Sequence, residues 1–211
     1  MHKALPLAAA AIAILIVLSP AAASACTRAP VAGAQATLQP GQINQTLLDA
    51  SIASEVNFQR CRLGLRPLGK APALQRTASE HASWMARKAK LSHKSTRPGR
   101  ATVKARILSS GLKVRRGSEN IAKVALYKVE EAGGYRIVNA SACQFASRSG
   151  APIPRHTYGS LSRYVVGLWM KSPHHRVNIV DRKVSIAGTA AAIDPRGRNC
   201  GSIYLAQNFA G

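Results

Sequence analysis

Histidine and carboxylate side chains are few in this chain, and several of them fall in polar clusters whose chemistry is worth asking about. Asp and Glu number 8 against 30 Lys and Arg. The densest group of polar and titratable residues runs from Trp169 to Asp181 and contains Ser172, His174, His175, Arg176 and Asn178. His93 lies in Leu91-Ser92-His93. Glu119 opens Glu119-Asn120-Ile121-Ala122, just after a stretch, 82–117, that carries eleven Lys or Arg and no acid. Two imidazoles and a carboxylate converging on one place could hold zinc or another divalent cation completed by water. Such a cation lowers the pKa of its bound water and supports hydrolysis. The same three groups could equally form a buried hydrogen-bonded cluster that ties elements together, because buried charge requires partners. The chain has no helical His-Glu-x-x-His spacing, and no second acid close by to serve as a base. A serine nucleophile needs a neighbouring base. Ser172 is near His175 and Ser92 adjoins His93, but neither sits in a nucleophile-elbow glycine pattern.

The elements that must position these groups read mainly as helices followed by paired strands. Leu48, Ile52 and Val56 recur at helical spacing from Thr46, carry Asn57 and Arg60 beside them, and stop at Leu63-Gly64. A second helix starts near Pro72, a residue suited to a first turn. Its stripe is Leu74, Ala78, His81 with Ala82, Met85 and Ala89, which makes His81 a hydrogen-bonded core histidine. A third helix is expected over Val103 to Leu112, within the basic flank. Lys123 to Val138 alternates around Glu130-Glu131-Ala132-Gly133-Gly134, the pattern of a hairpin with a glycine turn. The segment from Asn139 to Tyr158 is irregular, and its His156 is expected to be solvated. Leu161, Tyr164, Val165, Leu168 and Trp169 mark a helix that must end before Pro173, because a residue preceding proline is pushed out of the α region. His174 and His175 then sit on a bend. Val184 to Ile193 and Cys200 to Asn208 read as an antiparallel pair joined by the turn residues Asp194 to Asn199. The order argues for an α+β fold with helices packed on a small antiparallel sheet.

Residues 1–25 have a basic start, an apolar run from Ala4 to Leu18 and a small-residue cleavage pattern, Ala23-Ser24-Ala25, which read as a secretory signal peptide. A flexible arm, 26–45, follows, then a domain over 46–211 with an insertion at about 123–160. Cleavage after Ala25 would leave Cys26 first; with no Leu at the third position before it, a soluble secreted or periplasmic protein is expected over a lipid-anchored one. No transmembrane segment is expected in the mature chain. Cys26, Cys61, Cys143 and Cys200 form an even set suited to two disulfides in an oxidising compartment. Of the three connectivities, Cys26–Cys61 with Cys143–Cys200 is favoured. The formal net charge of +22 draws polyanions through long-range, salt-sensitive attraction. Anionic lipid and envelope polysaccharide are the expected partners, with nucleic acid bound only non-specifically.

Taken in order, Asn57-x-x-Arg60, Gly64-Leu65-x-Pro67-Leu68, Ala78-x-x-His81-Ala82-x-x-Met85-Ala86, Leu91-Ser92-His93, Glu119-Asn120-Ile121-Ala122, Trp169-x-x-Ser172-Pro173-x-His175-Arg176-x-Asn178-Ile179 and Gln207-Asn208-Phe209 resemble the CAP superfamily. That family comprises the cysteine-rich secretory, antigen 5 and pathogenesis-related proteins and is also called the SCP domain; the bacterial secreted branch is the nearest match, over about residues 46 to 209. The resemblance implies an α-β-α sandwich with a small central antiparallel sheet. It also implies a cleft lined by His93, Glu119 and His175, with His93 and His175 as metal ligands and Glu119 nearby. Ser172, His174 and Asn178 would support that cleft. Ser172 stands where many eukaryotic members carry a second glutamate, and His174 and Ser118 stand where glycine is usual. Of the two adjacent histidines, the resemblance turns only His175 into the cleft. The function it implies is an extracytoplasmic binding or interaction module; the alternative is a metal-dependent hydrolase of an envelope or extracellular polymer.

Overall fold

Helix α1 (Gln45–Cys61) begins where the Asn44 side chain accepts a hydrogen bond from the Leu47 N–H, satisfying a donor that the helix itself leaves free. The computed structural model describes Met1 and residues 26–211; the rest of the expected signal peptide lies outside the described residues. Leu48, Ile52 and Val56 are buried in the main core, as their spacing requires. A two-residue strand β1 (Gly69–Lys70) leads into α2 (Pro72–Lys88), which has Pro72 in its first turn and closes on Ala89 in the left-handed conformation. Helix α3 (Val103–Leu108), capped by the Thr102 hydroxyl, is shorter than its expected extent to Leu112. Strands β2 (Gly117–Ala125), β3 (Tyr135–Asn139) and β4 (Gln144–Ser147) follow. Then come α4 (Tyr158–Lys171), α5 (Pro173–Ile179), β5 (Ile186–Asp194) and β6 (Ser202–Ala210).

Four strands form the main sheet in the order β1-β5-β6-β2. Strand β6 runs antiparallel to β5, with Ile186 opposite Ala210 and Asp194 opposite Ser202, and antiparallel to β2, with Gly117 opposite Ala210. The short β1 pairs parallel with β5. Every residue of β6 is buried, because helices cover both of its faces. Ile203, Leu205 and Phe209 face α1, α4 and α5 in the largest core, while Tyr204 and Ala206 pack with Ala78, Ala82 and Met85 of α2. The result is an α-β-α sandwich around a small, mainly antiparallel sheet.

Several local expectations change. The glycine pair Gly133-Gly134 does not turn a hairpin between Lys123 and Val138. Residues 117–125 instead form the sheet edge beside β6, and the hairpin is β3–β4, later in the chain. The start of β2 hid its strand character because Ser118, Glu119 and Asn120 are polar, yet Glu119 and Asn120 are buried. The bend expected at Pro173 is the junction of two helices. Ser172 has extended backbone angles, and Pro173 starts α5, so His174 and His175 lie in its first turn. His156, expected in solvent, is fully buried. Its main chain accepts from Leu38 and donates to Leu126, and its ring packs on Tyr164. The segment 26–45 is held rather than free. Cys26 is bonded to Cys61, Arg28 pairs with Glu55, and Leu38 is fully buried. The second disulfide joins Cys143 to Cys200 and fixes the β3–β4 region to the β5–β6 turn. No helix among the described residues is long and apolar enough to cross a membrane.

Candidate functional site

Glu119 is on β2 at the sheet edge, with its side chain fully buried. A buried carboxylate needs partners, and three elements supply them. From α3, Arg106 donates Nε to Oε2 at 2.9 Å and Nη2 to Oε1 at 2.7 Å. From the loop after α2, His93 Nδ1 lies 2.9 Å from Oε1. An ionised carboxylate only accepts, so this bond places a proton on Nδ1. From α2, His81 Nε2 lies 3.8 Å from the same oxygen and 2.9 Å from the Ser92 carbonyl. Burial alone would raise the Glu119 pKa; the hydrogen bonds from His93 and Arg106, together with the Arg106 charge, outweigh it and hold the group below the ordinary carboxylate value.

Arg106 does more than neutralise this acid. Its Nη2 also donates to the His93 carbonyl at 2.7 Å, and its Nη1 reaches the Arg100 and Ala101 carbonyls at 3.2 and 3.3 Å. One buried guanidinium therefore shapes the whole loop that presents His93. His81 is a core histidine as its position on the apolar stripe requires, stacked on Trp84 with ring centroids 5.8 Å apart.

The remaining candidates come from α5 and are positioned by main-chain contacts. Asn120 donates Nδ2 to the His175 carbonyl at 3.2 Å, and Asn178 donates to the Glu119 carbonyl at 3.3 Å and to Asn120 Oδ1 at 2.8 Å. Asn178 thus ties α5 to β2. The His175 ring is partly buried; desolvation, then the neighbouring His93 and His174, lower its pKa. It shares a neighbourhood with His93, but among the described residues it makes no hydrogen bond to His93 or Glu119. His174 is exposed. Ser172 serves the backbone: its carbonyl accepts from the His175 and Arg176 N–H groups, and its hydroxyl makes no hydrogen bond among the described residues. Trp169 is anchored by its indole N–H to the Ile121 carbonyl at 3.1 Å. The motif Asn57-x-x-Arg60 proves to be scaffold. Asn57 exchanges two hydrogen bonds with the Leu68 backbone, and buried Arg60 donates to the Arg66, Ile179 and Asp181 carbonyls.

These contacts bear on the metal expectation. Both Glu119 oxygens accept from Arg106, so the buried carboxylate is already neutralised by a guanidinium. Among the described residues, no group of three or more His, Cys, Asp and Glu side chains is arranged to hold a metal ion. No step is derived through a metal. Sequence reasoning missed Arg106 and His81 as members of this cluster. Arg106 is one of eleven cations in a row without acids, and nothing in its spacing sets it apart from the others.

A family model for the cysteine-rich secretory protein family, CAP, matches residues 53–209. Among curated proteins, none matches the chain. Two of the solved structures similar in fold are bacterial. An extracellular protein containing an SCP domain from Bacillus anthracis is 17% identical with a TM-score of 0.52, covering 79% of this chain and 41% of its own, so this chain spans less than half of that protein's length. An outer surface protein from Borrelia burgdorferi is 15% identical with a TM-score of 0.53, covering 82% of this chain and 98% of its own.

Proposed function

The chain belongs to the cysteine-rich secretory protein, or CAP, family, and from that premise we propose that it works outside the cytoplasm as a binding module for anionic ligands rather than as a hydrolase. The observation that carries this reading is the engagement of Glu119 by Arg106. A general base needs a lone pair free to face its water and a pKa near the working pH. Glu119 is fully buried against Arg106, away from water, and its pKa is held low. The cluster is thus suited to shaping the loop that carries His93.

The large excess of Lys and Arg supports an anionic ligand, anionic lipid headgroups or an envelope polysaccharide, held mainly by long-range attraction. Two disulfides support an oxidising compartment, as does the likeness to proteins described as extracellular and outer-surface. The Cys26 sulfur is bonded to Cys61, and a lipid on that sulfur would exclude the disulfide.

The test is co-sedimentation of the mature protein with liposomes. Vesicles rich in anionic lipid should pellet the protein at low salt and release most of it near physiological ionic strength, where screening acts over about 8 Å; neutral vesicles should not pellet it. Absence of pelleting with anionic vesicles at low salt overturns the lipid form of the proposal. Zinc content after dialysis separates the two functional classes: the module should carry well under one zinc per chain. Stoichiometric zinc that disappears on His93→Ala with His175→Ala would reinstate the hydrolase.

A further inference from the structure

The β3–β4 hairpin is separate from the main sheet and tied to it by Cys143–Cys200, and one of its edges is open. Along the far side of β4, the Ser147 N–H donates to the Ala151 carbonyl and the Phe145 carbonyl accepts from the Ile153 N–H, both at 2.9 Å. Phe145 and Ser147 therefore point these main-chain groups away from β3. In an antiparallel pair, residues directly opposite one another turn their N–H and C=O groups either both inward or both outward. Ile137 and Tyr135 lie opposite Phe145 and Ser147, so theirs face outward, where no other main-chain or side-chain group among the described residues bonds them. The Tyr135 hydroxyl donates to Asn199 at 2.8 Å, which fixes this edge to the β5–β6 turn. Every residue of β3 is exposed, and Ile137 and Val138 are each 58% accessible. Tyr135 and Ile137 share one face of the hairpin; Arg136 is on the other, and the Arg148 guanidinium covers Gly134 next to it. Residues 135–155 contain three Arg and no acid.

We propose that the open edge of β3 docks an extended segment of another protein in which acidic and β-branched residues alternate, added to the hairpin as a further strand. The N–H and C=O groups of Tyr135 and Ile137 supply the strand-to-strand hydrogen bonds by which an exposed edge takes up a peptide. Side chains of a strand alternate between its faces. The apolar residues of such a segment would stand beside Tyr135 and Ile137, and its acids beside Arg136 and Arg148, where opposite charges on neighbouring strands attract. An exposed apolar edge invites pairing and is ordinarily shielded. Here the shield is charge of one sign, which repels a second copy of this basic chain and admits an acidic partner. The register shift between Ile137 and Asn139 confines the pairing to the Tyr135–Ile137 stretch. This inference goes beyond the reading of the chain as a module for anionic lipid or polysaccharide and does not depend on it.

Fluorescence anisotropy of a labelled, end-capped heptapeptide of alternating Glu and Val, titrated with the mature protein at physiological ionic strength, tests it. Wild type should bind this peptide saturably. A peptide with Lys in place of Glu should bind about tenfold more weakly or worse, and so should a fully N-methylated Glu-Val peptide, which keeps the charge but donates no main-chain hydrogen bond. Ile137→Pro removes an N–H that faces outward and fills the edge with its ring, so the hairpin keeps its own bonds. Arg136→Glu with Arg148→Glu reverses the charge and leaves the edge open. Each of these two proteins should bind the Glu-Val peptide about tenfold more weakly than wild type, with circular dichroism and melting temperature unchanged. Should Ile137→Pro not fold, the N-methylated peptide and the arginine variant decide the matter. No saturable binding by wild type, equal affinity for the N-methylated peptide, or undiminished affinity in either folded variant overturns the proposal. A dimer seen by sedimentation without peptide and abolished by Ile137→Pro would assign the edge to a second copy of this chain, and overturns it too.

Discussion

Arg106 holds Glu119 by both carboxylate oxygens, at 2.9 and 2.7 Å, with both side chains buried. The pair spans α3 and β2, and through the Arg106 bond to the His93 carbonyl it also fixes the loop after α2. The acid that looks from its position like a reactive group is, in the folded chain, one half of a buried ion pair.

Removing one partner of a buried ion pair leaves the other charge uncompensated and costs about 3–5 kcal/mol. Arg106→Met and Glu119→Gln should each lower stability on that scale in urea denaturation. The double variant should lose clearly less than the sum, because residues in one hydrogen-bonded network couple by about 0.5–3 kcal/mol. Additive losses would show that the two side chains act independently.

Acid should destabilise the protein from just below neutral pH. Burial, and then Lys128, lower the His156 pKa from 6.5 to about 4. The unfolded chain therefore takes up this proton below about pH 6.5 while the folded chain excludes it until about pH 4, so stability falls as pH drops through that window, by up to about 3 kcal/mol. The groups facing the ring are Ser160, whose Oγ is 3.2 Å from Nδ1, Glu131 at 3.8 Å from Nε2, and stacked Tyr164. His81 and His175, also lowered by desolvation, add in the same direction. Glu119, held low, adds a loss only further into acid. Urea midpoints at pH 7 and pH 4.5 should differ for wild type and differ less for His156→Gln. An equal difference in both proteins would remove His156 from the account.

Two glycines should respond oppositely to alanine. At Gly188 a Cβ would come within 2.2 Å of the Gln75 backbone nitrogen and 2.7 Å of the Ala71 carbonyl oxygen, so α2 and β5 can approach this closely only without it. Gly188→Ala should cost more than about 4 kcal/mol or leave the protein insoluble. At Gly167, within α4, a Cβ meets nothing within 4 Å, and Gly167→Ala should stabilise by about 0.5–1 kcal/mol through helix propensity. Melting temperatures that moved together would contradict the close approach.

Much of the sandwich was legible in the sequence. Leu48, Ile52 and Val56, the stripe from Leu74 to Met85 and the run from Leu161 to Trp169 have helical period because each helix buries one face on the sheet. The β5–β6 pair was legible from its apolar run and intervening turn residues. Strand β2 was less so, since polar residues at its start are buried by specific pairing, which hydropathy does not record. His156 was misread for the same reason: an irregular segment looks exposed until its long-range contacts are known.

The sequence by itself determined the helical stripes, the two inner strands, the even set of cysteines, the basic excess and the family motifs, because each is a local pattern or a count. Only the tertiary structure decided which of eleven cations reaches Glu119, that His81 lies beside that acid, that His156 is buried, and that Leu108 stands open beside Lys104 and Arg115. Those relationships join residues on different elements. Their distances follow from how helices and sheet pack, and no spacing along the chain encodes them.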